Sequence, residues 1–256
     1  MVQCCKKKAV NIMKEIMRGG SGDKVTDFDS LSSVEFAGNS ISVETYLQDA
    51  ERNLLAMSRT AQGVVDTSAS AKKIESMTGV SGEAAADLAK QNFEIAIREA
   101  YNNKEREFES PEDLRRFING LATTVNSGIV KEGSLIRSSD SEKYPYVRIA
   151  NLENYMDKFY QGLYERVQNP EADPIESAAF AEFGIDFAGH FFADGCGKTA
   201  KVVSSFILMR HNHKLPEYRG GRSAYYANQL RQIAGENEAA DEAGYQKFLE
   251  YYRGLF

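Results

Sequence analysis

Cysteine, long apolar runs and an excess of basic charge are all scarce in this chain, and each shortage excludes something. Only three cysteines occur in 256 residues, two of them adjacent at Cys4 and Cys5. They lay out no disulfide framework, and the expectation is a reducing, cytoplasmic setting, with a secreted effector as the alternative. No stretch reaches the roughly 20 apolar residues of a membrane-spanning helix, and no secretory apolar core precedes the first helical pattern. The run Cys4-Cys5-Lys6-Lys7-Lys8 reads as a solvated terminus rather than a lipidated basic anchor. With a formal net charge of −6 there is no broad basic face to offer a nucleic-acid polymer. Internal repeats and low-complexity tracts are missing too, so the chain is expected to fold as one large or two small domains with a real core.

What is present is mostly helical periodicity. Val10, Ile12, Met13, Ile16 and Met17 make an amphipathic pattern over 4–18. Further helices are expected over Val43–Met57, Gly82–Asn103 and Leu152–Val167, the last ending at Asn169-Pro170, with a small-residue turn at 66–73. Ser110-Pro111-Glu112-Asp113 is a helix start: a capping hydroxyl, a proline in the first turn, then acids. Asp173-Pro174 opens another, along which Ala179, Phe180, Phe183 and Phe187 recur at helical spacing. The only convincing extended segment is a hairpin between Gly133 and Ile149.

Residues 190–201 carry the chemistry. His190, Asp194, Gly195, Gly197, Lys198 and Lys201 fall within twelve residues, just before an apolar helical stretch. Glycines let backbone N–H groups converge on an anion at a helix N-terminus, where the dipole favours negative charge. Asp194 is a hard ligand suited to Mg²⁺, which binds one or two carboxylates together with substrate phosphates. Lys198 and Lys201, three apart, are expected on one face toward the same anion. Gly197-Lys198-Thr199 resembles the end of a P-loop, but Phe192 stands where that motif needs glycine and a helix, not a strand, precedes it. His211 and His213 point to different sides of a helix end and read as solvated rather than metal-binding.

With these residues in view, the stretch resembles the Fic family, whose motif is HxFx[DE]GNGRxxR. His190, Phe192, Asp194, Gly195 and Gly197 match; Cys196 replaces the family's Asn, and Lys198 and Lys201 its two Arg. Leu215-Pro216-Glu217-Tyr218 followed by Tyr225-Tyr226 is similar to a downstream family segment. Gly133–Arg137 with Val147-Arg148-Ile149 is similar to the family's flap, so the likeness covers roughly 115–230. Ser33-Val34-Glu35-Phe36-Ala37-Gly38-Asn39 resembles the inhibitory motif [ST]xxxE[GN] of one Fic class, with Ala37 at the glutamate. With Ser33, Gly38 and Asn39 intact around it, Ala37 reads more as an engineered replacement than as natural loss.

The resemblance implies a mainly α fold, a helical bundle with one β-hairpin flap. It divides the chain into an N-terminal helical region over 1–109 and a catalytic core over 110–256. The implied reaction is transfer of AMP from ATP to a Ser, Thr or Tyr hydroxyl of a target protein or of the chain itself. His190 would be the general base and Asp194 the Mg²⁺ ligand. Gly195, Cys196, Gly197, Lys198, Lys201, Tyr225 and Tyr226 would contact the nucleotide, and the target would dock at the flap near 133–149. In the family the inhibitory glutamate pairs with the second motif arginine; Ala37 has no charge to pair with Lys201. Lysine lacks arginine's bidentate fork, and Cys196 lacks the amide of Asn. Other transferred groups (UMP, GMP, phosphoryl, phosphocholine), an inactive nucleotide-binding relative and a thiol nucleophile at Cys196 therefore stay open, as does a homodimer.

Overall fold

The computed structural model describes residues 40–58, 82–129 and 133–256. The helix expected at 4–18, the turn at 66–73 and the motif carrying Ser33, Ala37, Gly38 and Asn39 lie outside the described residues. Within them the helices are α1 (Val43–Ser58), α2 (Gly82–Asn102), α3 (Pro111–Val125), α4 (Ile149–Gln168), α5 (Pro174–Glu182), α6 (Cys196–Arg210), α7 (Gly221–Tyr226) and α8 (Glu238–Arg253). A seven-residue π-helix, π1 (Phe183–Gly189), continues α5.

The helix starts follow from their caps. The Ser110 side chain accepts from the Asp113 N–H and opens α3; Asp173 accepts from the N–H groups of Ile175 and Glu176 and opens α5. Each side chain satisfies backbone donors that a helix leaves unpaired in its first turn. The Phe183 and Phe187 positions expected to continue α5 lie instead in π1, where one wider turn re-aims the chain just before His190.

The central element is α6. Thr199 through Met209 are buried without a break, as a helix surrounded by other helices must be. It packs against α5, α2 and α3. Phe206 on α6 meets Phe117 on α3 at 4.9 Å and Phe108 at 6.0 Å. Tyr46 and Ala50 of α1, and Phe93 and Ile97 of α2, join the same buried cluster as Phe180, Phe191, Tyr225 and Phe248.

The expected β-hairpin is absent among the described residues. The two arms of 133–149 do not pair with each other; their backbone groups bond to the chain on either side of His190 and to the Arg137 side chain. Arg137 donates to the carbonyls of Val147, Gly189 and Ser139. The first arm bonds to the loop that carries the motif, Ala193 N to Leu135 O (2.8 Å) and Arg137 N to Phe191 O (3.0 Å), and the second to the end of π1, Val147 N to Ala188 O (2.9 Å). A single antiparallel bridge, Ile136 with Phe192, is the β-structure that results.

Candidate functional site

His190 terminates π1 with φ 45° and ψ 57°, a left-handed conformation that few residues other than glycine adopt and that marks stored strain. Its Nδ1 is 3.2 Å from the carbonyl oxygen of Asp186, one turn earlier. A carbonyl only accepts, so Nδ1 carries the proton and Nε2 is the nitrogen left with a lone pair. The Tyr146 ring from the flap segment stacks on the imidazole at 4.0 Å and 4°. Burial lowers the His190 pKa from its ordinary value, the Asp186 carboxylate and carbonyl pull it part of the way back, and Arg137 lowers it further. The ring is thus a neutral imidazole near pH 7.

Asp186 is the site residue that the sequence reading missed. Its carboxylate is buried, accepts from the Tyr225 hydroxyl at 3.0 Å and the Tyr226 hydroxyl at 3.4 Å, and lies 3.7 Å from His190 Nδ1. The signal available was its place four residues before His190 in an otherwise apolar run. Tyr225 and Tyr226, expected against a nucleotide, are therefore anchored on Asp186. Tyr225 is wholly buried, and only Tyr226 borders the open space in front of His190.

That space is a cleft of about 670 Å³, bordered by Arg137, Tyr144, Tyr146, His190, Arg222 and Tyr226. From His190 the chain passes through Phe191 and Phe192, both buried, to Asp194. Asp194 Oδ1 accepts from the Gly195 N–H at 2.6 Å, and its carbonyl accepts from Asn126 Nδ2 at 3.1 Å. Gly195 has φ +67°, and a Cβ there would stand 2.6 Å from Asn126 Oδ1, so both conformation and space require glycine. A Cβ on Gly197 would meet Asp186 Oδ2 at 3.2 Å; the carboxylate packs against the first turn of α6.

The remaining motif residues separate. Lys198 is half-buried; burial lowers its pKa, Asp194 raises it, and Arg222 and Lys201 lower it. Lys201 departs from the expectation that it shares Lys198's anion. It is 5% exposed, its Nζ lies 3.2 Å from Glu182 Oε1, and it sits 3.9 Å from the centre of the Tyr225 ring. Glu182 also accepts from Tyr218 at 2.6 and 2.8 Å and from Ser204 at 2.9 Å. Three residues along a helix rotate a side chain by about 300°, leaving it roughly 60° from the first. On a helix buried all round, that offset turns Lys201 inward.

Cys196 is 2% exposed, its Sγ lies 3.2 Å from both the nitrogen and the carbonyl oxygen of Phe192, and burial pushes its pKa well up. The thiol ties the motif loop together and stays protonated, which overturns the nucleophile alternative. His211 is exposed beyond the end of α6, and His213 Nδ1 lies 3.0 Å from the Lys214 carbonyl. Among the described residues no group of three or more His, Cys, Asp or Glu could hold a metal ion, and no helix is long and apolar enough to cross a membrane.

No family model and no curated protein matches the sequence. Solved structures are similar in fold. A Fic domain containing signaling protein from Bacteroides thetaiotaomicron VPI-5482 is 16% identical, over 83% of this chain and 84% of its own, with a TM-score of 0.58. Fic-1 from C. elegans is 17% identical over 97% and 70%, at a TM-score of 0.48. A variant of IbpAFic2 in complex with adenylylated Cdc42 is 13% identical over 82% and 75%, at 0.46. At 16% identity the first likeness carries the fold and nothing finer: the chain has the mainly helical fold of a Fic domain protein.

Proposed function

We propose that the chain is a protein-modifying nucleotidyltransferase that moves AMP from ATP to the hydroxyl of a Ser, Thr or Tyr side chain, on a target protein or on itself. The observation that carries this reading is the His190 ring, protonated at Nδ1 by its contact with the Asp186 carbonyl and bordering an open cleft. The hydroxyl oxygen forms a bond to the α-phosphorus as its proton passes to His190 Nε2. The bond from that phosphorus to its bridging oxygen breaks, and pyrophosphate leaves with the electron pair. A neutral imidazole is the form that can take the proton. First-turn N–H groups of α6 at Cys196, Gly197 and Lys198 have no partner within the helix and suit the charge on the transferred phosphoryl group.

Mg²⁺ fits this site only together with a nucleotide. Asp194 is one carboxylate at the start of α6, already accepting from Gly195, and no complete protein cage exists among the described residues. Mg²⁺ bound by one carboxylate plus substrate phosphates is its usual mode, and it would neutralise charge on the leaving pyrophosphate. The target would lie along the flap segment 133–149, whose first arm already pairs with 191–193.

One observation favours a second reading. Lys201 is held inside by Glu182, so of the two motif cations only Lys198 is left for the outer phosphates. A donor with a less charged leaving group, as in transfer of phosphoryl or phosphocholine, or nucleotide binding without transfer would suit this arrangement. Transfer of UMP or GMP expels the same pyrophosphate and differs from AMP transfer only in the base recognised. Intact mass spectrometry decides among them after incubation with Mg²⁺ and each of ATP, GTP, UTP and CTP, with and without a peptide mixture bearing free hydroxyls. A gain of one nucleoside monophosphate that His190→Ala abolishes supports the proposal and identifies the donor. Nucleotide binding by calorimetry with no adduct from any donor, unchanged in His190→Ala, supports the binding-only reading instead.

A further inference from the structure

A second cavity, of about 110 Å³, shares no lining residue with the His190 cleft. It lies between α4, the α5–π1 junction and the start of α8, and five aromatic rings border it: Tyr155, Phe159, Phe180, Phe183 and Tyr245. Three of these brace one another into a wall, Phe159 stacked on Phe180 at 5.5 Å and Tyr245 edge-on to Phe180 at 6.1 Å.

Two neighbouring carboxylates complete the lining in the same way. Asp241 Oδ2 accepts from the Gly235 N–H at 2.6 Å, and Glu242 Oε1 accepts from Gln246 Nε2 at 2.6 Å. The other oxygen of each, Asp241 Oδ1 and Glu242 Oε2, is buried with no hydrogen-bond partner among the described residues. Each carboxylate is thus fixed by one oxygen and keeps a second one buried in the wall of the cavity without a partner. Buried oxygens left so are costly, and a native protein keeps few of them without a reason. Burial pushes the Asp241 carboxyl up to about 6, with the Gly235 N–H pulling it back and Glu238 adding to the rise. Lys158 stands at the rim with its side chain exposed, a long stem that keeps its charge in water.

We infer that this cavity is a binding site for a small organic ammonium ion, with the positive head on the side lined by the Asp241 and Glu242 carboxylates and the apolar body against the rings. Aromatic faces attract such cations through the ring quadrupole, the more so when desolvated. A bare divalent cation does not suit the site: hard cations take six or more oxygens, and five rings offer none. Size sets the ligand. A cavity of about 150 Å³ admits benzene, so 110 Å³ takes a head of roughly four to six non-hydrogen atoms.

The test is ligand-observed NMR on the full chain at matched ionic strength, titrating tetramethylammonium, propylammonium and the neutral isostere tert-butanol. Asp241→Asn/Glu242→Gln serves as the variant, since it keeps shape and the anchoring acceptors while removing charge. At least one ammonium ion is expected to bind saturably with a Kd on the order of 1 mM, the range open to so few atoms. tert-Butanol should bind at least tenfold more weakly, and the variant should lose ammonium binding by about tenfold or more with an unchanged circular dichroism spectrum. Should the double variant unfold, Glu242→Gln alone is read against the same threshold. No saturable binding of either ammonium, equal binding of tert-butanol, or binding indifferent to the charge removal would each overturn the assignment.

Discussion

His190, with Asp186 beside it and Tyr146 stacked on its ring, allows the sharpest test of the proposed chemistry. Burial is the largest influence on its imidazole and lowers the pKa below the ordinary 6.5, while Asp186 raises it. If the neutral ring takes the proton, the rate falls as pH drops through that pKa, so the acid limb of the profile lies below 6.5. Two positioning residues move this limb in opposite directions. Asp186→Asn removes the charge that favours the imidazolium, so the limb shifts to lower pH. Tyr146→Ala opens the stacked face to water, so it shifts up toward 6.5. A pH–rate profile of self-modification for the three proteins checks this; limbs that stay together in all three would remove His190 from the role of base. The histidine was legible because a long motif surrounds it. Asp186 was legible only as a carboxylate four residues before His190, a weak signal beside the motif, and only the fold reveals that it anchors His190, Tyr225 and Tyr226 together.

Between elements, what was readable divides by where the information lies. Caps are local: Ser110 and Asp173 bond to N–H groups two or three residues on, so the starts of α3 and α5 stand in the sequence. The flap is not local. Its arms depend on Arg137 reaching carbonyls at Val147 and Gly189, ten and 52 residues away, and no alternation within 133–149 encodes that. Arg137→Ala should therefore free both arms at once, with faster amide hydrogen exchange at Arg137, Val147 and Ala193 while α3 and α6 keep their protection. The α5–α6 contact gives a second outcome. Glu182 joins Lys201, Ser204 and Tyr218 in a buried cluster, and Glu182→Ala would leave the lysine charged and unpaired in the core. A loss of about 3–5 kcal/mol is expected in urea unfolding, whereas Glu182→Leu combined with Lys201→Met recovers most of it. An equal loss in both proteins would mean the cluster acts through packing rather than charge.

At the scale of the molecule, the amino-terminal segment and the core meet in a question about control. The resemblance implies that a glutamate at position 37 would inhibit by pairing with the cation at 201, and that Ala37 removes the brake. That reasoning assumes a cation facing the nucleotide. Instead Lys201 is 5% exposed and bound to a carboxylate of its own, Glu182. A glutamate brought in from outside would have to win the lysine from a partner inside the core, and an effector shifts a state only by the difference in its affinity for the two. Ala37→Glu is therefore expected to change the rate of self-modification by no more than about twofold, an interaction of a few tenths of a kcal/mol. The double variant Ala37→Glu/Glu182→Gln separates the possibilities. Strong inhibition only in the double variant would show that Glu182 already holds the cation the brake requires. A tenfold or greater loss in Ala37→Glu alone would show that a glutamate at 37 acts without that lysine, or draws it out of the core.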